Sequence, residues 1–210
     1  MATASVPAAP TRSLASTLIS DRPRRWAREI IAVTAGITLI ALLAKVSVPM
    51  VPVPITGQTL GVLLVGAAFG ARRGAATLTA YGLVGLLGIP VFAGPTAGPL
   101  SVLSPSFGYV IGFIPAAWLA GLLADRGWDR SVPKAAAAAT AATVVPFVIG
   151  VPYLGVILAA SGNPPTLAEA LAWGVWPFLL GGAIKAALAA LALPAAWRLH
   201  RRLRANGRGL

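Results

Sequence analysis

The chain has 210 residues, 57% of them hydrophobic and only 10% charged, less than half the charged share of about 25% in an ordinary soluble domain. Seventeen Lys+Arg against five Asp+Glu leave a formal charge of +12, yet 51 residues between Arg73 and Asp125 and 34 between Lys134 and Glu169 carry no charge. This distribution fits an integral membrane protein and excludes a nucleic-acid binder. The lack of cysteine and the single histidine, His200, remove disulfides, thiolate or imidazole metal centres and His-dependent catalysis.

The expected fold is an all-α integral membrane bundle of six transmembrane helices with both termini cytoplasmic. Residues 1–28 are rich in Pro, small polar residues and Arg and lack an apolar signal core, so they are expected to be a disordered basic cytoplasmic tail. The transmembrane domain is expected over 29–199, followed by a second basic cytoplasmic tail over 200–210. Its first span runs from about Ile30 to Val48, close to the roughly 20 residues needed to cross a bilayer core of about 30 Å. Pro49, Pro52 and Pro54 then impose an extended connection over Val48–Thr56, because proline cannot continue a helix.

Gln58–Phe69 is a short second span, closed by Arg72 and Arg73, and Gly74–Gly88 is a third. Pro90–Pro105 breaks the long uncharged run, and its far flank forms a fourth span at Ser106–Ala124. A fifth span at Ala135–Ala159 is expected to kink at Pro146 and Pro152. The remaining apolar stretch, Leu167–Leu199, is too long for one untilted crossing. Pro177 suits a helix's first turn, so Leu167–Val175 is expected as a short interfacial helix and Pro177–Arg198 as the sixth span.

With six spans, fifteen of the 17 basic residues fall on one side: Arg12 to Arg28 in the first tail, Arg72, Arg73, Arg126, Arg130, Lys134, and Arg198 to Arg208 in the second. The positive-inside rule makes that side cytoplasmic. Trp26, Trp128 and Trp197 are then expected as anchors at the inner interface, Trp173 and Trp176 at the outer one, and Trp118 in helix packing.

Two basic residues remain, Lys45 and Lys185. Lys45 is close enough to the outer end of its span to snorkel. Lys185 lies about 12 Å inside the sixth span counted from Pro177. A lysine near a helix centre costs about 2.5–3.5 kcal/mol to insert, and the only acid remotely placed to pair with it is Glu169. An unpaired Lys185 is expected to form an anion site open to the outer face. The helix start at Phe178–Gly182 supports it with backbone N–H groups, and Gly181 and Gly182 permit close approach to the backbone. The outer connections VPVPITGQT and PVFAGPTAGPL add Thr56, Gln58, Thr59, Phe92 and Thr96, the mixture of apolar and neutral polar groups that a small-molecule pocket needs. No catalytic residues, metal ligands or cofactor-binding residues are expected, and the chain is not expected to be an enzyme. No GxxxxGK(S/T) segment occurs, so any ATP hydrolysis belongs to another chain.

The segment VPVPITGQTLGVLLVGAAFGARRGA, followed by GIPVFAG, SPSFGYVIGF and PFLLGGAIKAALAAL, resembles the BioY family, the biotin-specific substrate-binding membrane components (S components) of energy-coupling factor (ECF) transporters. The resemblance runs from the first span through the sixth. It implies a multi-pass protein of the cytoplasmic membrane that captures biotin from outside with high affinity and imports it. The implied partners are biotin, the lipid bilayer, and a coupling module of one transmembrane protein with two ATPases. The resemblance implies that Lys185 binds biotin, with the valerate carboxylate as its counter-ion, and that Gln58 and Tyr109 lie around the ligand. Related components pack small residues of the first helix against the coupling protein, which points to Ala32 and Gly36 at small-xxx-small spacing. The family's sixth-helix motif is close to PFLPGDxxK; here Leu180 replaces its proline and Gly182 its aspartate. That departure leaves uptake of a biotin-related vitamin, or a stand-alone carrier, as the alternative.

Overall fold

The computed structural model describes residues 25–94 and 97–206. Most of the expected 1–28 tail, and Thr96, lie outside the described residues. Seven α-helices occur among the described residues: α1 (Arg25–Lys45), α2 (Gln58–Phe69), α3 (Ala71–Leu86), α4 (Phe107–Asp125), α5 (Val132–Ala160), α6 (Leu167–Gly174) and α7 (Trp176–Asn206). Four stretches are long and apolar enough to cross a membrane: Trp26–Lys45, Phe107–Asp125, Val132–Ala160 and Leu167–Arg204.

The short helices follow from their surroundings. The 12 residues of α2 rise only about 18 Å, well short of a bilayer core. Seven of them, Gln58, Gly61, Val62, Leu63, Val65, Gly66 and Ala67, are buried. A helix enclosed by its neighbours need not match the lipid thickness, because protein rather than hydrocarbon meets its ends. α4 is the central element and packs against α2, α3 and α5. Small residues let these helices touch backbone to backbone: a Cβ on Gly66 would lie 2.5 Å from the Ala117 carbonyl oxygen, and one on Gly112 would lie 2.7 Å from Pro146 Cα. Such contact gives dispersion energy in a lipid environment, where the hydrophobic effect drives little helix association.

The proline-rich connection is more ordered than expected. Ser47–Val48 and Ile55–Thr56 form an antiparallel hairpin, β1 and β2, in which Ser47 opposes Thr56 and Val48 opposes Ile55. The apolar stretch after Ser161 divides at Val175, between α6 and α7, two residues before Pro177. α6 opens with a capping box: Thr166 Oγ1 accepts from Glu169 N–H at 3.3 Å, and Glu169 Oε2 accepts from Thr166 N–H at 2.8 Å. α7 runs on to Asn206, so the start of the expected 200–210 tail is helical.

The connections near the basic residues gather at one end of the bundle. There Arg73 pairs with Glu29 at 2.5 Å, and Ala71 N–H, at the start of α3, donates to Asp125 Oδ2 at 3.0 Å. Trp197 Nε1 donates to Asp129 Oδ2 at 2.5 Å, and the Arg130 guanidinium lies 4.8 Å above the Trp197 ring. Trp197 is 7% exposed, so it is a buried hydrogen-bond donor and not an interfacial anchor. Trp118 departs from expectation in the other direction: it is 46% exposed, facing away from the bundle.

Candidate ligand-binding site

At the opposite end the hairpin, the loop after α3 and the starts of α4 and α7 enclose a cavity of about 430 Å³, within the range of small-molecule sites. Seven residues expected at a site from the sequence line it: Thr56, Gln58, Thr59, Phe92, Tyr109, Gly182 and Lys185. They come from four separate stretches of chain, and the bundle brings them to one place.

Lys185 enters from α7, half-buried. Among the described residues no side chain or carbonyl pairs with its ammonium. Glu169, the one acid considered for that role, is exposed and turned into the α6 cap. The ammonium lies 3.8 Å from the point where a Gly181 Cβ would stand, so it folds back beside that glycine towards the start of α7, the direction in which helical side chains lean. The helix start itself offers less than expected, since Phe178 N–H already donates to the Val175 carbonyl at 3.0 Å. Gly182 is buried, and a Cβ there would sit 3.2 Å from the Thr143 methyl. An aspartate at this position therefore requires Thr143 to yield by a few tenths of an ångström.

Gln58 is 5% exposed and held in a chain of hydrogen bonds. The Thr56 hydroxyl donates to Gln58 Oε1 at 2.9 Å, Gln58 Nε2 donates to the Tyr81 hydroxyl at 2.6 Å, and Tyr81 donates to the Val91 carbonyl at 2.9 Å. The chain fixes the amide orientation, because the Tyr81 oxygen must accept once its proton is committed. One Gln58 amide proton remains for a ligand.

Tyr109 is also committed. Its hydroxyl donates to the Gly174 carbonyl at 2.8 Å, tying α4 to the break between α6 and α7. Its ring faces Phe147 and Phe178 at centroid separations of 6.1 and 5.9 Å. Tyr109 thus contributes an aromatic wall. Phe92 forms a second one, edge-on to Tyr81 and Phe107 at 5.6 and 6.0 Å. Lys45 sits outside this cavity and fixes its rim, donating to the Phe92 carbonyl at 2.9 Å.

The two residues expected at a partner contact lie elsewhere. Gly36 is buried, and a Cβ on it would meet the Thr77 methyl at 2.8 Å and the Phe69 ring at 3.1 Å. Ala32 is half-buried. Gly36 therefore faces α2 and α3 of its own bundle, while Ile31, Thr34, Ala35 and Thr38 are exposed.

Other residues at the site were not singled out from the sequence: Tyr81 stands behind Gln58, outside the lining, and Ser101, Ser104, Ser106 and Thr143 are among the lining residues. Tyr81 is the only aromatic residue in α3, a signal that could have been used. The serines sit in a Pro- and Gly-rich run that reads as a turn, and nothing in the sequence directs their hydroxyls inward.

An apolar bundle with a cavity of mixed apolar and polar lining at one end, and in its wall an ammonium unpaired among the described residues, is the architecture of a membrane solute-binding protein. The BioY family profile matches residues 11–202, and the chain belongs to that family, which comprises transporters and not enzymes. It is 34% identical to a protein named biotin transporter BioY from Rhizobium etli, over 75% of this chain and 84% of that one. It is 33% identical to a probable biotin transporter BioY from Pyrococcus horikoshii, over 79% and 93%. A biotin transporter BioY from Rhodobacter capsulatus is 35% identical, over 74% and 90%. The fold is similar to that of a crystal structure described as the S-component for biotin from an ECF-type ABC transporter, with a TM-score of 0.60 and 22% identity, covering 87% of this chain and 95% of that one.

Proposed function

We propose that the chain captures biotin from outside the cell and serves as the substrate-binding component of an ECF transporter in the cytoplasmic membrane. Helices α1 to α5 and α7 make six crossings, with α6 at the outer interface. Both termini are cytoplasmic, which the basic residues gathered at one end of the bundle support. The cavity then opens outward, and Lys185 receives the valerate carboxylate. The single observation that carries this reading is Lys185, an ammonium without a partner among the described residues, in the wall of a cavity of ligand size.

The aromatic walls of Phe92 and Tyr109 enclose the apolar part of the ligand, Gln58 and Thr56 offer neutral hydrogen bonds, and Gly182 leaves room beside Lys185. Release to the cytoplasm is driven by a transmembrane coupling protein with two ATPase subunits. With Gly36 packed inward, the coupling protein meets α1 along Thr34, Ala35 and Thr38, with Ala32 at the margin.

Calorimetric titration of the purified chain with biotin tests the assignment. Binding at micromolar ligand or below supports it, and absence of heat at that concentration rejects it. Gly182 favours a second reading, a biotin-related vitamin, because glycine cannot accept a ligand N–H as an aspartate would. Desthiobiotin and lipoate in the same titration separate the two. Uptake of radiolabelled biotin in cells with and without the coupling module distinguishes a coupled component from a stand-alone carrier.

A further inference from the structure

A second concavity opens at the arginine-rich end, on the outside of the bundle. It is a groove of about 510 Å³ between the α2–α3 corner and the last turns of α4, lined by Phe69, Arg72, Arg73, Trp118, Leu122 and Asp125. Trp118, Leu122 and Asp125 stand at i, i+4 and i+7 on α4, so they form one stripe along its face. Trp118 comes seven residues before Asp125, about 10 Å further from the bundle end along the axis. The groove is therefore apolar towards the middle of the bundle and charged at its end.

The charges at that end are not equivalent. Arg73 is paired with Glu29, and the Asp125 carboxylate accepts from Ala71 N–H at 3.0 Å. That carboxylate lies against the corner, since a Cβ on Gly70 would come within 2.7 Å of its Oδ1. The start of α3 is thus already capped and adds little to anion binding. Arg72 is exposed and has no ion-pair or hydrogen-bond partner among the described residues. Arg126, also exposed, follows Asp125 at the same end. Three arginines stand near two committed carboxylates, so the surplus charge is positive. A guanidinium offers a phosphate two parallel N–H donors.

An apolar trough ending in a free guanidinium matches a phospholipid in outline, with acyl chain at depth and anionic head group at the rim. Basic pockets between transmembrane helices recognise anionic lipid by this chemistry. We propose that the groove holds an anionic phospholipid of the adjacent leaflet, its phosphate on Arg72 and an acyl chain along Leu122 and Trp118. The lipid then bridges the α2–α3 corner and α4. The site lies at the opposite end from the ligand cavity and does not depend on which ligand that cavity takes.

The test uses the full chain purified in detergent, read by native mass spectrometry and thermal unfolding. The probes are phosphatidylglycerol and phosphatidylcholine with the same acyl chains. Phosphatidylglycerol is expected to be retained more tightly and to raise the melting temperature more. Arg72→Gln is expected to weaken it about fivefold and to remove most of the preference. Trp118→Ala, which alters only the acyl-chain wall, is expected to weaken both lipids by the same factor. Arg201→Gln, at an exposed arginine of α7 outside the groove, is expected to leave both unchanged. Equal retention of the two lipids overturns the inference. So does an equal loss in the Arg72 and Arg201 variants, which would mean a diffuse attraction of the whole basic end. Stabilisation by inorganic phosphate equal to that by phosphatidylglycerol overturns it in favour of a simple anion site. Unchanged lipid retention in Arg72→Gln together with lost co-purification of a coupling protein overturns it as well and assigns the groove to that partner.

Discussion

The two ends of the bundle treat polar groups in opposite ways. At the arginine-rich end the described carboxylates are tied to another element of the chain: Glu29 to Arg73, Asp125 to the start of α3, and Asp129 to Trp197. At the hairpin end Lys185 has no partner among the described residues, and serine and threonine residues line a cavity. Polar contacts at the first end join helices, so changes there should act on stability. Changes to the open polar groups at the second end break no contact between helices, so they should act on ligand affinity.

The largest expected break in this contrast is Lys185→Ala. Removing a charge-assisted bond to a carboxylate should weaken biotin binding by about 10- to 100-fold. The melting temperature without ligand should not fall, because no internal partner is left unsatisfied and a buried charge is removed. Isothermal titration together with thermal unfolding in detergent reads both effects. A large loss of stability with affinity retained would make Lys185 a structural residue.

The converse substitution is Gly66→Val, at the contact of α2 with α4. The Ala117 carbonyl, 2.5 Å from the new Cβ, cannot move without shifting α4. The expected destabilisation is about 1–3 kcal/mol, measured as a lower unfolding midpoint, with the affinity of the remaining folded protein within a few-fold of the unaltered chain. Tyr81→Phe lies between the two ends in character. It removes the acceptor of Gln58 Nε2 and the donor to the Val91 carbonyl, which should cost about 0.5–1.5 kcal/mol of stability. It should also weaken biotin binding a few-fold, because the Gln58 amide loses its fixed orientation.

These cases also show how far the fold and the site could be read from the sequence. Long uncharged runs bounded by arginine and proline mark helix bodies well, because apolar length and helix breakers act locally. Hence α4, α5 and the division between α6 and α7 lie within a few residues of expectation. Lys185 stood out because its isolation is itself a sequence property. Whether a polar residue is already partnered is a tertiary property, so the commitment of Gln58 to Tyr81 and of Tyr109 to Gly174 was not visible. The same limit applies to Gly36. Small-xxx-small spacing says that a helix face permits close approach, and only the packing decides that the neighbours are Thr77 and Phe69. Trp197 and Asp129 are 68 residues apart in sequence, and no local pattern links an indole in a basic helix end to an acid in a short loop.

The smallest effect concerns that last pair and the pH response of the arginine-rich end. Burial holds the Asp129 carboxyl above its ordinary value of 3.8, with the Trp197 N–H and the Arg130 charge pulling the other way and Asp125 adding to the rise. Among the described residues its Oδ1 has no hydrogen-bond partner, which leaves part of the charge uncompensated. In the unfolded chain this proton leaves near 3.8, and in the folded protein it leaves at higher pH. Between those two values the folded state binds more protons, so this site's contribution to stability falls as pH rises through the window and returns on acidification. Asp129→Asn removes the titration, and its Oδ1 can still accept from Trp197 Nε1. Other groups titrate in both proteins, so the informative quantity is the difference in melting temperature between variant and unaltered chain across pH 4 to 7. That difference should shift in the variant's favour as pH rises and then level off, with biotin affinity unchanged. A flat difference would mean that the carboxylate is fully compensated where it lies. Trp197→Phe supplies the opposite control, since it strips the carboxylate of its indole donor and should lower stability most at neutral pH.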